Sequence, residues 1–243
     1  MSYIETGHAK NIAHFEEMTI IIPSFGTRYN PSRTAIQLPQ LQTKLTAAQQ
    51  ALDKVTSTNQ EFNRVTNYRS DAFEVLRPLA TAIVNALIAS EASTETIKDA
   101  KGFQRKIQGR RALTSKVPPV DPDIPAPVSI SASQQSYDQL IQHLSGLIEV
   151  VKREPNYTPN ETDLQVATLQ TKIADLTAKN TAVATAYASI SNSRIARNET
   201  LYSSSTGLVE TANEVKKYIK SVFGASSPQF AQVKGIQFKI IKN

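Results

Sequence analysis

The chain repeats itself at a nearly fixed offset, and this constrains its fold more than any other feature. Tyr29-Asn30-Pro31-Ser32-Arg33-Thr34 is answered by Tyr157-Thr158-Pro159-Asn160-Glu161-Thr162, 128 residues later (29 to 157). Leu41-Gln42-Thr43-Lys44-Leu45 returns as Leu169-Gln170-Thr171-Lys172-Ile173 at the same spacing, Arg69 meets Arg197, and Asn85 meets Asn213. After five extra residues in the second copy, Lys101-Gly102-Phe103-Gln104-Arg105-Lys106 matches Lys234-Gly235-Ile236-Gln237-Phe238-Lys239. A duplicated unit of this size speaks to architecture far more than to chemistry.

Within each copy the apolar residues keep a three-four beat. Leu38, Leu41, Leu45, Ala48, Leu52, Val55, Asn59 and Phe62 form one series. Val166, Leu169, Ile173, Leu176, Asn180, Val183, Tyr187 and Ile190 form the other. Sustained over more than three heptads, this predicts a long helix with one sticky seam. A first helix over 32–76 is expected, with Ser32 and Asn160 as N-caps of the two long helices because their side chains accept from free N–H groups. Asn59 and Asn180 read as polar inserts that select pairing. The recurring Arg69/Asp71 and Arg197/Glu199 read as an arginine paired to a carboxylate inside a bundle. Shorter amphipathic helices are expected around 11–22 and 136–152. Pro78 and Gly207 each weaken a helix, so breaks are expected there, followed by helices over 79–90 and 208–222. The tails 101–106 and 234–241 read as short extended pieces.

The fold class is therefore all-α: an elongated helical bundle of two tandem related units, each a short helix, a long heptad-patterned helix and a shorter C-terminal helix. The first unit spans 9–116 and the second 134–243. A linker over 117–133 contains Pro118, Pro119, Pro122, Pro125 and Pro127, which exclude a helix and favour an extended connector. The seam packing is assigned to Leu41, Leu45, Leu52, Val55, Phe62, Leu169, Ile173, Leu176, Val183 and Ile190.

Little in the chain points to catalysis. With no cysteine among 243 residues, disulfides, thiolate metal sites and a cysteine nucleophile are excluded. Three histidines, His8, His14 and His143, lack a convergent set of carboxylates and are expected to be partly exposed. There is no glycine-rich phosphate loop after a strand and no nucleophile elbow. No enzyme activity, cofactor or metal is expected. The N-terminal residues show no secretory pattern, and the apolar stretch 79–89 is shorter than the roughly 20 residues of a membrane-spanning helix. A cytoplasmic protein without a transmembrane segment is the expectation.

The net charge of +6 is uneven. Lys101, Arg105, Lys106, Arg110, Arg111 and Lys116 lie together with no acid between 101 and 116. They form a candidate surface for an anionic partner, either nucleic acid bound through salt-sensitive phosphate contacts or an acidic protein. The predicted outer faces of the long helices, including Ala47, Gln49, Gln50, Ser57, Thr58, Ala178, Thr181, Ala182, Ala184 and Ser189, are small and neutral, which suits lateral packing. A self-associating structural protein is the leading expectation. Nucleic-acid binding through the basic ends is one alternative. The other is a membrane-active component resembling the haemolysin-E class of helical toxins, with 79–89 as its concealed apolar segment.

The segments around Tyr29-Asn30-Pro31-Ser32, Lys106-Ile107-Gln108-Gly109-Arg110-Arg111-Ala112 and Tyr218-Ile219-Lys220-Ser221-Val222-Phe223-Gly224-Ala225-Ser226-Ser227-Pro228-Gln229 resemble a family of internally duplicated helical proteins from Bacteroidetes. The likeness covers nearly the whole chain. It implies an α-helical fold and brings no activity or site residues with it.

Overall fold

The computed structural model describes residues 3–109 and 135–241, with side chains from Gly7 onward. The proline-rich linker, Arg110, Arg111 and Lys116 lie outside the described residues. Eight α-helices appear among those described, and no strand: α1 Tyr3–Ile21, α2 Leu38–Glu74, α3 Leu76–Ala89, α4 Thr94–Ile107, α5 Tyr137–Lys152, α6 Val166–Tyr202, α7 Leu208–Phe223 and α8 Pro228–Lys234. The protein is all-α.

The long helices begin at Leu38 and Val166, six residues beyond Ser32 and Asn160, which therefore cap neither. A short 3-10 turn intervenes in each case, at Thr34–Ile36 and Thr162–Leu164. The Tyr29 hydroxyl donates to the Ile36 carbonyl at 2.6 Å, and the Tyr157 hydroxyl donates to the Leu164 carbonyl at 3.0 Å. These bonds satisfy carbonyls that the turn leaves open, and the helical ladder starts instead from the Gln37 and Gln165 carbonyls. The shorter helices do use serine caps: Ser93, Ser136 and Ser227 accept from Thr96, Gln139 and Phe230 N–H groups.

The predicted breaks occur. Pro78 sits in the first turn of α3, where its missing N–H is harmless, but its ring would crowd the Glu74 carbonyl of an unbroken helix. The chain accordingly steps out at Val75. In the second copy, Gly207 is the N-cap residue of α7, and a Cβ there would lie 2.5 Å from the Ser203 carbonyl oxygen. No side chain fits that approach. Residues 101–106 depart from the extended reading, because they complete α4.

The chain divides into two compact units, one from Met1–Phe62 with Ala186–Asn243 and the other from Asn63–Thr185. Each unit therefore combines residues of both sequence copies. In the first, α1 buries Ile12, Phe15 and Met18, and the turn after it buries Ile22, in one core with Leu41 and Ala48 of α2 and Leu208, Ala212, Val215 and Ile219 of α7. Phe62 meets Tyr187 at 6.1 Å between ring centroids, and Lys44 Nζ donates to the Thr206 carbonyl. Low numbers on α2 thus face high numbers at the end of α6, which makes these two helices antiparallel. Burial lowers the Lys44 pKa.

In the second unit the core comes from Leu76, Ile83 and Leu87 of α3, Leu144, Leu147 and Ile148 of α5, and Leu169 and Leu176 of α6. Ala100 and Ile107 add the buried face of α4. Phe103 of α4 lies directly over Gly146 of α5; a Cβ at Gly146 would stand 2.3 to 2.9 Å from three Phe103 ring atoms. This glycine lets two helices close on an aromatic ring. By length and composition alone, the run Leu38–Ala89 holds an 18-residue window apolar enough to cross a membrane, with 33% of it buried in the fold.

Candidate interaction surfaces

The seam residues divide by burial. Leu41, Val55, Leu169, Leu176, Val183 and Ile190 are buried, whereas Leu45, Leu52, Phe62 and Ile173 are half-buried. The polar insert Asn180 has specific partners. Asn180 donates to Asp138 at 2.7 Å and accepts from Arg69 Nη1 at 2.9 Å. The Arg69 guanidinium also stacks 4.0 Å above the Tyr137 ring, whose other neighbour is Phe73. Arg69 thus meets an amide and an aromatic face rather than Asp71. Arg197, only 1% exposed, likewise donates through Nε and Nη2 to Asn198 Oδ1. An arginine fork makes several directed bonds, so at Arg69 a neutral amide oxygen takes a place that the sequence suggested for a carboxylate.

The outer helix faces are exposed as expected at Ala47, Gln49, Gln50, Ser57, Ala178, Thr181, Ala184 and Ser189; Ala182 is half-buried, and Thr58 is buried, bonding back to the Lys54 carbonyl. Two large side chains on α6 stand exposed: Tyr187, which the heptad series set on the seam, is 62% exposed, and Ile195, outside the series, is 64% exposed. From Asn180 to Ser193 this helix carries no charge.

On α4, Lys98 and Lys101 are exposed and Arg105 is half-buried. At 100° per residue these three lie within about 60° of one another around the helix. None makes an ion pair among the described residues. Lys106 points away, toward the Phe103 ring at 5.5 Å. The adjoining helix α3 has no acidic residue, and its Thr81 hydroxyl accepts from Gln104 and Gln108 of α4.

Two of the three histidines are less exposed than expected. His8 and His143 are buried, and the Nδ1 atom of His8 lies 2.7 Å from the Tyr202 hydroxyl. Half-buried His14 places Nδ1 at 2.6 Å from the Gln237 carbonyl, which requires a proton on that nitrogen. No group of three His, Asp or Glu able to hold a metal occurs among the described residues.

The segment after α8 runs across α1 without forming a strand. Asn11 takes over the role of a neighbouring strand: its amide nitrogen donates to the Lys239 carbonyl at 2.7 Å and its oxygen accepts from the Lys239 N–H at 3.0 Å. Lys216 of α7 donates to the Ile236 carbonyl, and burial lowers its pKa. With side chains supplying these partners, the segment has no need of a ladder. A cavity of about 300 Å³ remains between this segment and α1. No protein family, curated protein or solved structure matches the chain.

Proposed function

We propose that the chain is a non-enzymatic structural or scaffolding protein that self-associates through helix faces. The uncharged stretch Asn180–Ser193 of α6 carries this reading, because it sets exposed Tyr187 among small side chains such as Ala188 and Ser189, with exposed Ile195 following just beyond it. Aromatic and aliphatic side chains left in water gain by mutual burial, and a face without charge offers no repulsion to a second copy. In this proposal the duplicated copies are tandem related units of an elongated bundle, their heptad seams serve internal packing, and the outer faces serve assembly in the cytoplasm. Light scattering with electron microscopy tests it. Concentration-dependent particles that dissolve on Tyr187→Lys with Ile195→Glu are expected, and a strict monomer at high concentration would refute it.

A second reading rests on the cationic stripe of α4. Lys98, Lys101 and Arg105, unopposed by acids on α3, suit a phosphate backbone or an acidic protein. A salt-sensitive gel shift lost on reversing these three charges is the expected result, and no shift at low salt would end the idea. The membrane-active alternative asks more of the molecule, because Leu76, Ile83 and Leu87 of α3 would have to leave the core. Leakage from liposomes is its test.

A further inference from the structure

We infer that the cavity between α1 and the C-terminal segment binds a small phosphate monoester. The site lies wholly within the first unit. Its α1 wall presents Lys10, Asn11 and His14, which share one helix face by their three- and four-residue spacing. The opposite wall presents Gln237 and Lys239, with open space at Gly235 and the Ile241 side chain packed against Gly7. Two lysines and a histidine thus line one concavity, and no carboxylate lines it among the described residues. Neither Lys10 nor Lys239 makes an ion pair among the described residues.

The walls are set without a ligand. Asn11 fixes both backbone groups of Lys239, His14 fixes Gln237, and Lys216 fixes Ile236. Binding therefore meets a preformed site and loses little to ordering. Two point charges of the ammonium kind suit a compact dianion, whose oxygens accept from several directions. A volume near 300 Å³ is at the small end for ligand pockets, which selects a phosphate on a short organic body.

The repeat supplies an independent comparison. The hexad Lys234–Lys239 has its sequence counterpart in Lys101–Lys106, yet the first-copy hexad is helical and packs Phe103 onto Gly146. The groove beside that contact is lined by Asp99, Glu149 and Glu154 together with Arg153. The first-copy hexad thus lies beside a predominantly acidic groove, whereas the second-copy hexad contributes Gln237 and Lys239 to a cationic cavity.

The test uses the full chain and two probes, inorganic phosphate and glycerol 3-phosphate, against sodium chloride at equal ionic strength. Calorimetric binding and amide chemical shifts are read together. Saturable binding is expected, with shifts centred on residues 7–14 and 235–241. Lys10→Gln and Lys239→Gln should each weaken it about tenfold, in line with loss of one charge-assisted bond. Lys98→Gln with Lys101→Gln should leave it unchanged. Absence of binding at about 10 mM probe overturns the inference. So does binding that survives the Lys10/Lys239 double substitution, or shifts that map to α4.

Discussion

Replacing Gly146 with alanine sets two effects of opposite sign against each other. Alanine in the interior of α5 is favoured over glycine by about 0.8–1.0 kcal/mol through backbone entropy. The new methyl, however, would stand 2.3 Å from the nearest Phe103 ring atom, so the ring must leave its place. Phe103 is half-buried, and losing that burial costs about 1–2 kcal/mol, roughly half the value of a full side chain. Strain in the packed α4–α5 contact adds about 1 kcal/mol or more. Net destabilisation of about 1–2 kcal/mol follows. In a Phe103→Ala background the obstacle is gone, and the same glycine substitution should stabilise by about 1 kcal/mol. The coupling between the sites, about 2–3 kcal/mol, is of the size contacting residues show in double-mutant cycles. Urea unfolding of the four proteins measures it through midpoint shifts of several tenths molar, given slopes of about 1–3 kcal/mol/M. A higher midpoint for Gly146→Ala in the native background would refute the packing argument.

Three further outcomes are expected. Cleaving the chain at a protease site introduced within 117–133 should leave the two fragments co-eluting, since each compact unit contains residues from both sides of the cut; separation on native gel filtration would contradict this. Asn11→Ala should cost about 2–3 kcal/mol by abandoning both backbone groups of Lys239. Asn11→Asp should cost less because its carboxylate still accepts from the Lys239 N–H, and amide exchange at 236–241 reports both variants. Burial, with a smaller contribution from Glu161, pushes the Tyr157 hydroxyl up to about 12. The unfolded chain releases this proton from about pH 10, so the folded state holds more protons between about pH 10 and 12 and stability falls across that window. Tyr29 shifts in the same direction through burial, whereas the lowered lysines Lys44 and Lys216 act oppositely. The difference between Tyr157→Phe and the native protein in alkaline melts therefore isolates the tyrosine contribution. A variant with an unchanged slope would refute it.

Much of the local structure was legible because it depends on neighbours along the chain. The all-α class follows from apolar spacing, and the interruptions at Pro78 and Gly207 follow from a missing N–H and a missing Cβ. The basic cluster holding Lys101, Arg105 and Lys106 could also be seen, but reading 101–106 as extended hid the helical phase that sets Lys98 beside Lys101 and Arg105 and apart from Lys106. Ser32 and Asn160 misled as caps because a tyrosine hydroxyl, contributed from outside the helix, moved each helix start by six residues. A signal for this lay in the repetition of Tyr29 and Tyr157 themselves.

Pairing between distant parts was decided only by tertiary structure. Apolar periodicity says which face of a helix is buried, yet it is indifferent to which copy covers that face. The observed units draw on both copies. Nor does a six-residue motif carry its own conformation: Lys101–Lys106 is helical where α5 offers Gly146 as a notch, while the matching stretch beyond Gly235 is extended where Asn11, His14 and Lys216 supply its hydrogen bonds. Local propensity is worth only tenths of a kcal/mol per residue, so a few tertiary bonds of about 1 kcal/mol each outweigh it. That difference in energy is why composition and spacing determined the helices, while contacts between remote residues determined the cavity and the exposed faces.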